Sequence, residues 1–433
     1  MSEPYEPNPE RWHPSKPLYR FLVLFFAGIL TIGSYFAYDS IGALAPLMIE
    51  DMQIGREKIG MMYSFYSWPN LVMVFIGGFL IDRFGTRKMS LIFSALIVLG
   101  AAIVAAAPVF WLMLLGRTVF GVGSESLIVA QQTILAKWFK GKELALAFGL
   151  SLTFSRLGTL SSFNTEARIA EHFSSWRIAL WAAALFCLLS LLSNLVYVFL
   201  ERRALAPTAS GLGRVELSEA PAGEKIVLAD VKRFRASFWF ITLLCVTFYS
   251  AIFPFTAFST DFFHTKWNYS VTAAGRITSI IIFASMILAP ILGRMVDKVG
   301  RRGTLMMVGS VMLIPCYLIM GFTHFSPVAP MVVLGLAFSL VPAALWPSIP
   351  LLVEKKSVGT AFGLLAVVQN FGLAGFPWVV GALRDATQTY TSGMAVFASL
   401  GMLGFVFATL LKRADARAGG GLERAEWLKT DQG

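Results

Sequence analysis

Glu125, within GRTVFGVGSESLIVAQQ, and Arg156, within GLSLTFSRLGTL, are opposite charges near the centres of two long apolar segments. Inserting one charge at the centre of a membrane helix costs about 2.5 to 3.5 kcal/mol, so the two together cost roughly 5 to 7 kcal/mol unless hydrated or paired. Two readings account for that cost. In one, Glu125 and Arg156 form a permanent salt bridge. In the other they face a shared cavity, where Glu125 receives a ligand's ammonium and Arg156 its carboxylate, which a guanidinium fork matches better than a lysine does. A zwitterion fits one acid and one base on a common cavity wall.

Asp39, Arg117 and Arg276 are the other charges placed within apolar segments. Asp39 is open to three roles: a second ammonium contact, a proton site, or a hydrogen-bonded structural acid. Arg117 is either a structural donor to neighbouring carbonyls or a coupling residue. Polar side chains extend the lining at helical spacing: Tyr35 and Asp39 lie four apart, Tyr63, Tyr66 and Asn70 follow one face, and Gln132 lies two turns from Glu125. In the second half of the chain, Tyr249, Phe253, Trp346, Gln369 and Asn370 offer an aromatic and amide wall. Taken singly, each aromatic is more commonly a packing residue.

Catalytic chemistry finds no foothold. No nucleophile, base and orienter set, no metal-ligand spacing and no phosphate loop is present, so neither an enzyme nor a cofactor or metal is expected. Cys187, Cys245 and Cys316 each lie inside an apolar run and read as small packing side chains. No histidine falls at the centre of an apolar segment, which argues against a histidine proton relay.

The elements that must position these residues are read from composition. Of 433 residues, 56% are hydrophobic and 14% charged, and the mean hydropathy is +0.68. A soluble domain carries about a quarter charged residues, so the chain belongs in lipid. Apolar runs place spans at about 18–48, 57–82, 87–107, 110–137, 143–168, 175–200, 237–264, 270–297, 303–324, 329–353, 358–384 and 390–412. The expected fold class is therefore all-α integral membrane. Its organisation is a tail over 1–17, a six-helix bundle over 18–200, a linker over 201–236, a second bundle over 237–412 and a tail over 413–433. Within the linker, KIVLADVKRFR reads either as a short interfacial helix or as disordered chain.

The net charge of +11 does not gather on a soluble face, so nucleic acid is excluded as a partner. It is instead an orientation signal. If both termini face the cytoplasm, 27 of the 36 Lys and Arg lie on that side, six (Arg56, Lys58, Arg168, Arg177, Lys266, Arg384) lie opposite, and three are within spans. Both termini are therefore expected in the cytoplasm. The N-terminus has no basic-then-apolar signal pattern.

An internal repeat relates the two halves. Gly78, Asp82, Arg83, Gly85 and Arg87 match Gly293, Asp297, Lys298, Gly300 and Arg302 at an offset of 215, and Ala147-Phe148-Gly149-Leu150 matches Ala361-Phe362-Gly363-Leu364 at 214. Parallel six-helix repeats of this kind build carriers with a binding site at the midplane between them.

The loop Gly78 to Lys88, G-x-x-x-D-R-x-G-x-R-K, with its second copy, resembles the signature motif of the major facilitator superfamily. Arg117-x-x-x-Gly121-x-Gly123 resembles a second motif of that superfamily. The resemblance implies twelve helices in two pseudo-symmetric bundles, with Asp82, Arg83, Arg87, Asp297 and Arg302 as gating residues that latch and release as the halves rock. The glycine-proline antiporter motif is absent from the fifth span, and the acidic-acidic-arginine motif of proton-coupled peptide carriers is absent from the first.

Seven blocks are closer to one group: GSYFAYDS (33–40), YSFYSWPN (63–70), GRTVFGVGSESL (116–127), WFKGKELALAFGL (138–150), FYSAIFPF (248–255), ALWP (344–347) and GTAFGLLAVVQNFGLA (359–374). They resemble the lysosomal dipeptide carriers of the superfamily and their prokaryotic relatives. That resemblance implies a dipeptide uniporter in the lipid bilayer, working as a monomer without obligatory proton coupling, with Glu125 and Arg156 as the charged substrate contacts. An accessory membrane glycoprotein is implied only for an animal lysosome. No leucine-pair sorting signal lies in the N-terminus, which counts against lysosomal residence; the cell (inner) membrane is expected if the chain is prokaryotic, with the lysosomal membrane as the alternative. Competing readings are a proton-coupled carrier of amino acids, sugars or organic anions, with Glu125 or Asp39 as the proton site, and a non-transporting receptor or scaffold.

Overall fold

The computed structural model describes residues 17–139, 143–205, 231, 234–354 and 357–424. Most of KIVLADVKRFR lies outside them, so the interfacial helix expected there is not among the described elements. The described residues form twelve long helices. The first six are α1 (Pro17–Met52), α2 (Arg56–Phe84), α3 (Thr86–Ala106), α4 (Phe110–Phe139), α5 (Leu144–Phe173) and α6 (Trp176–Leu205). The second six are α7 (Ala236–Trp267), α8 (Val271–Val299), α9 (Arg302–Phe322), α10 (Val328–Leu345), α11 (Val358–Thr387) and α12 (Thr391–Arg417). Most run beyond the apolar cores from which they are read, because a helix keeps its backbone hydrogen bonds past the edge of the hydrocarbon.

Eleven of the twelve are long and apolar enough to cross a membrane. The exception is α5, whose 30 residues span about 45 Å and are long enough. Its low hydropathy comes from Arg156, Glu166 and Arg168 among many hydroxyl side chains. Glu166 is fully buried, with neither carboxylate oxygen hydrogen-bonded. It adds a charge-bearing side chain to the five singled out from the sequence.

Two chain features explain local breaks. Gly85 and Gly300, the matched glycines of the repeated motif, both have positive φ, at 83° and 64°. They let α2 and α8 stop and the chain turn at once into α3 and α9, where a side chain would be strained. The proline-laden run VPAALWPSIP ends regular α10 at Leu345. It continues as a 3-10 turn, Trp346–Ser348, and one last α-helical turn, Ile349–Leu352. The irregularity falls at Trp346.

Within the first half α1 packs on α5 and α6, and α3 on α4 and α6. In the second half α12 packs on α7 and α9, and α10 on α8 and α9. The halves meet through α2 with α11, α5 with α8, and α1 with α7. The first two pairs exchange under the six-helix repeat, so the seam follows the internal symmetry. Helices α3, α6, α9 and α12 pack mainly within their own half. Their exposed apolar side chains, such as Trp181, Leu185, Phe199, Ile319 and Met402, face outward as a lipid-facing ring requires.

The hydrogen bonds that join the halves gather at the end remote from the chain termini. Arg56 at the start of α2 forms an ion pair with Asp261 near the end of α7, through Nε at 2.9 Å and Nη2 at 3.2 Å. Tyr390 also donates to Asp261. Asp385 of α11 accepts the backbone N–H groups of Arg56 at 3.0 Å and Glu57 at 2.8 Å, so a side chain of the second half caps a helix of the first. Trp378 donates to Glu57 at 2.8 Å, and Thr272 to Glu171 at 2.8 Å. Gly60 and Gly381 bring the α2 and α11 backbones together, since a Cβ at either would collide with a carbonyl of the opposite helix. One buried apolar cluster runs continuously from Ile41, Met62 and Trp176 of the first half into the second half. The seam at this end is shut.

Candidate functional site

A cavity of about 720 Å³ lies between the halves. Its wall includes Phe148, four residues into α5, and Phe362, four residues into α11, so it extends toward the end that carries the chain termini. At the other end the Arg56–Asp261 seam closes it.

Nine of the residues expected at a substrate site line this cavity: Tyr35, Asp39, Tyr66, Glu125, Gln132, Arg156, Trp346, Gln369 and Asn370. Tyr249 does not. It stands one layer behind, its hydroxyl accepting a hydrogen bond from Trp346 Nε1 at 2.9 Å. Tyr249 is therefore a support for Trp346 rather than part of the surface.

Glu125 and Arg156 are brought to the same cavity by α4 and α5, and they do not pair with each other. Tyr66 Oη donates to Glu125 Oε1 at 3.0 Å and lies 3.2 Å from Ser124 Oγ. Ser124 in turn is hydrogen-bonded to Ser34 of α1. Glu125 is thus held by a polar chain across α1, α2 and α4. Arg156 lies over the ring of Phe338, 4.7 Å from its centroid. A permanent Glu125–Arg156 salt bridge is not the state of this structure. Asp39 is buried yet lines the cavity beside Thr159 of α5.

Arg117 is 2% exposed and makes structural bonds: Nε donates to the Met62 carbonyl at 3.2 Å and Nη1 to that of Ala37 at 3.3 Å. The rings of Tyr38, Tyr63, Tyr66 and Phe120 surround it with centroids at 5.3 to 5.4 Å. Those contacts tie α1, α2 and α4 together behind Glu125. Arg276, grouped from sequence with the intramembrane charges, is exposed near the start of α8 and is not in the cavity wall.

The motif residues lie at the end that carries the termini. Asp82 and Arg83 are exposed, and Asp82 has no ion pair among the described residues. Arg87 pairs with the buried Glu201 at 3.5 Å, and Arg302 with Asp297 at 3.8 Å. Each of these pairs stays within its own half.

Sequence reading missed the opposite gate. Arg56 counted there only as a stray base on the less basic side, and Asp261, Asp385, Glu57 and Tyr390 were not singled out. One signal was available: Asp261 interrupts the apolar run FPFTAFSTDFFH much as Glu125 interrupts its own.

Twelve helices in two repeated halves around a central charged cavity define a membrane transporter, and the chain belongs to the major facilitator superfamily, whose family model matches residues 25–377 and again 254–429. It is similar to the lysosomal dipeptide transporter MFSD1 of Danio rerio, at 40% identity over 385 residues, covering 86% of this chain and 82% of the relative. To the protein of the same name from Homo sapiens it is 37% identical over 417 residues, covering 93% and 88%. The hexuronate transporter of Bacillus subtilis is 25% identical, covering 92% of this chain and 96% of the relative. Among solved structures, a bacterial homologue of the human lysosomal transporter Spinster, in an inward-facing and unoccupied conformation, superposes with a TM-score of 0.73 at 16% identity, covering 93% and 98%. At that identity the likeness is one of fold.

Proposed function

We propose that this chain is a uniporter for dipeptides that works by rocker-switch alternating access, with Glu125 binding the substrate ammonium and Arg156 the carboxylate. The observation that carries the reading is an acid and a base on one cavity wall, each held by neighbours other than its opposite charge. Two unpaired intramembrane charges are costly, and a zwitterion satisfies both at once. The charged ends of a dipeptide lie up to about 7 Å apart and those of an amino acid much closer, so the choice between them rests on similarity to known carriers. Similarity to dipeptide transporters at 37% to 40% identity over most of the chain supports the same substrate class.

Tyr35, Asp39, Tyr66 and Gln132 complete the first half's share of the site. Trp346, Gln369 and Asn370, with Tyr249 behind Trp346, form a neutral second-half wall that takes side chains without selecting strongly by charge. Both termini lie in the cytoplasm on this reading, so the state described is inward-facing. Asp82, Arg83, Arg87, Asp297 and Arg302 re-form the cytoplasmic latch when the cavity turns outward. The protein acts as a monomer, in the cell (inner) membrane if the chain is prokaryotic, with the lysosomal membrane and an accessory glycoprotein as the animal case. Carriage, not catalysis, is its activity.

Binding to the folded state alone raises stability by RT ln(1 + [L]/Kd), about 2.7 kcal/mol at a hundredfold excess over Kd. Purified protein is therefore expected to melt several degrees higher with millimolar dipeptides and to be unmoved by their constituent amino acids. Equal shifts from single amino acids would remove the dipeptide assignment.

A further inference from the structure

The guanidinium of Arg156 makes no hydrogen bond among the described residues, yet its position is defined. Its central carbon stands 4.7 Å from the centroid of Phe338, a ring that is 4% exposed and lines the same cavity. Arg156 belongs to α5 and Phe338 to α10, so this contact crosses between the halves. Phe338 is itself fixed: Phe253 meets it edge-to-face at 5.7 Å and 89°. Phe253 stacks on Tyr249 at 5.7 Å and 17°, and Tyr249 is hydrogen-bonded to Trp346. A chain of second-half aromatics thus ends under Arg156, the one base of the cavity wall among the described residues.

A guanidinium that stacks on an aromatic ring engages it through its face. The five N–H donors lie in its plane and point outward, and that plane is the part a carboxylate reads in bidentate fashion. A long arginine side chain without such a contact samples many rotamers and must be ordered each time a ligand binds.

We propose that Phe338 is a positioning residue for Arg156, and that the carboxylate-binding site is therefore assembled from both halves, the cation supplied by the first and its orientation by the second. This rests on the reading of Arg156 as the carboxylate ligand. Phe338 touches no substrate carboxylate itself. Its effect is to present the guanidinium edge toward the cavity before substrate arrives.

A purely structural role would weaken all ligands alike, whereas a positioning role acts on ligands that carry the carboxylate. The readout is accordingly a ratio: inhibition of labelled dipeptide uptake into liposomes by an unlabelled dipeptide against inhibition by its C-terminal amide. Wild type is expected to prefer the free carboxylate by about tenfold or more, the range for a charge-assisted contact. Phe338→Met keeps the volume and loses the ring quadrupole. In that variant the preference is expected to fall by about threefold or more, toward no preference between acid and amide, as loss of a cation–π contact predicts. Phe338→Tyr, which keeps an aromatic face, is expected to restore the wild-type ratio. If the methionine variant does not fold, by its melting curve, Phe338→Leu is put to the same ratio test. A non-aromatic variant that keeps the wild-type preference, or a tyrosine variant that loses it as fully, overturns the proposal. A wild type that does not distinguish acid from amide overturns instead the assignment of Arg156.

Discussion

Arg156→Ala is expected to reduce dipeptide exchange by at least about 30-fold while leaving the melting temperature of the empty protein close to wild type. Truncating one member of a desolvated charge contact costs about 2 kcal/mol or more, because the ligand's charge is then buried without its partner. Stability is spared because Arg156 has no hydrogen bond to lose among the described residues, and it rests on the Phe338 ring at the cavity wall. Arg156→Lys keeps the charge and loses the planar fork, so it is expected to recover part of the activity. Arg117→Ala should behave in the opposite sense. Its donors hold carbonyls of α1 and α2 within a ring of aromatics, so its loss is read first as a lower melting temperature. Initial rates in liposomes and melting curves in detergent separate the two arginines. An Arg156→Ala protein that exchanges dipeptide at the wild-type rate would contradict the assignment.

The second large effect concerns the closed seam. Asp261 is 1% exposed and accepts from Arg56 through two nitrogens and from Tyr390, all in the state sealed at that end. In Asp261→Ala the Arg56 cation remains there without its acid. Removing one partner of a buried pair costs about 3 to 5 kcal/mol, and some relief is expected because Arg56 is 19% exposed. Taken as about 2 kcal/mol, the loss shifts the equilibrium between the sealed and unsealed seam by about 30-fold toward the unsealed state. Thr256 lines the cavity from α7, and the native cysteines Cys187, Cys245 and Cys316 are all buried. In a Thr256→Cys background, a membrane-impermeant maleimide applied on the seam side is expected to label the Asp261→Ala protein much faster than its parent. Arg56→Ala should give a similar rise. The double variant should add little to either, since both break the same contact. Unchanged labelling in Asp261→Ala would show that another interaction holds the seam.

The fold was legible from sequence because its two strongest signals are collective. Twelve apolar runs and a repeat at an offset of about 214 do not depend on any single residue, and the matched glycines at Gly85 and Gly300 proved to be positions of positive φ. The boundaries shifted because helices outlast the hydrocarbon. Much of the cavity wall was legible for an energetic reason: Glu125, Arg156 and Asp39 are expensive where they stand, and cost draws attention to function.

Other features lacked such a signal. Asp385 caps a helix that begins 329 residues earlier in the chain, a relation that no local pattern encodes. Phe338 is one of 37 phenylalanines, and nothing in its type or spacing marks it as the ring beneath Arg156. Tyr249 was misplaced because periodicity gives the face of a helix but not the depth of a side chain behind its neighbours, and Arg276 because an apolar run does not mark how near a helix end a residue falls. Glu166 sits beyond the centre of α5, past the region where charges were sought, although its burial is complete.

A cavity that exchanges dipeptides by alternating access without a driving ion must support counterflow. Purified protein is reconstituted in liposomes loaded with unlabelled dipeptide, with equal pH on both sides and a protonophore present, and labelled dipeptide is added outside. Label is expected to accumulate transiently above equilibrium, driven only by exchange, and Glu125→Gln and Arg156→Ala are both expected to abolish the overshoot. No overshoot in wild type without an imposed proton gradient, or an overshoot that survives in both variants, would contradict it.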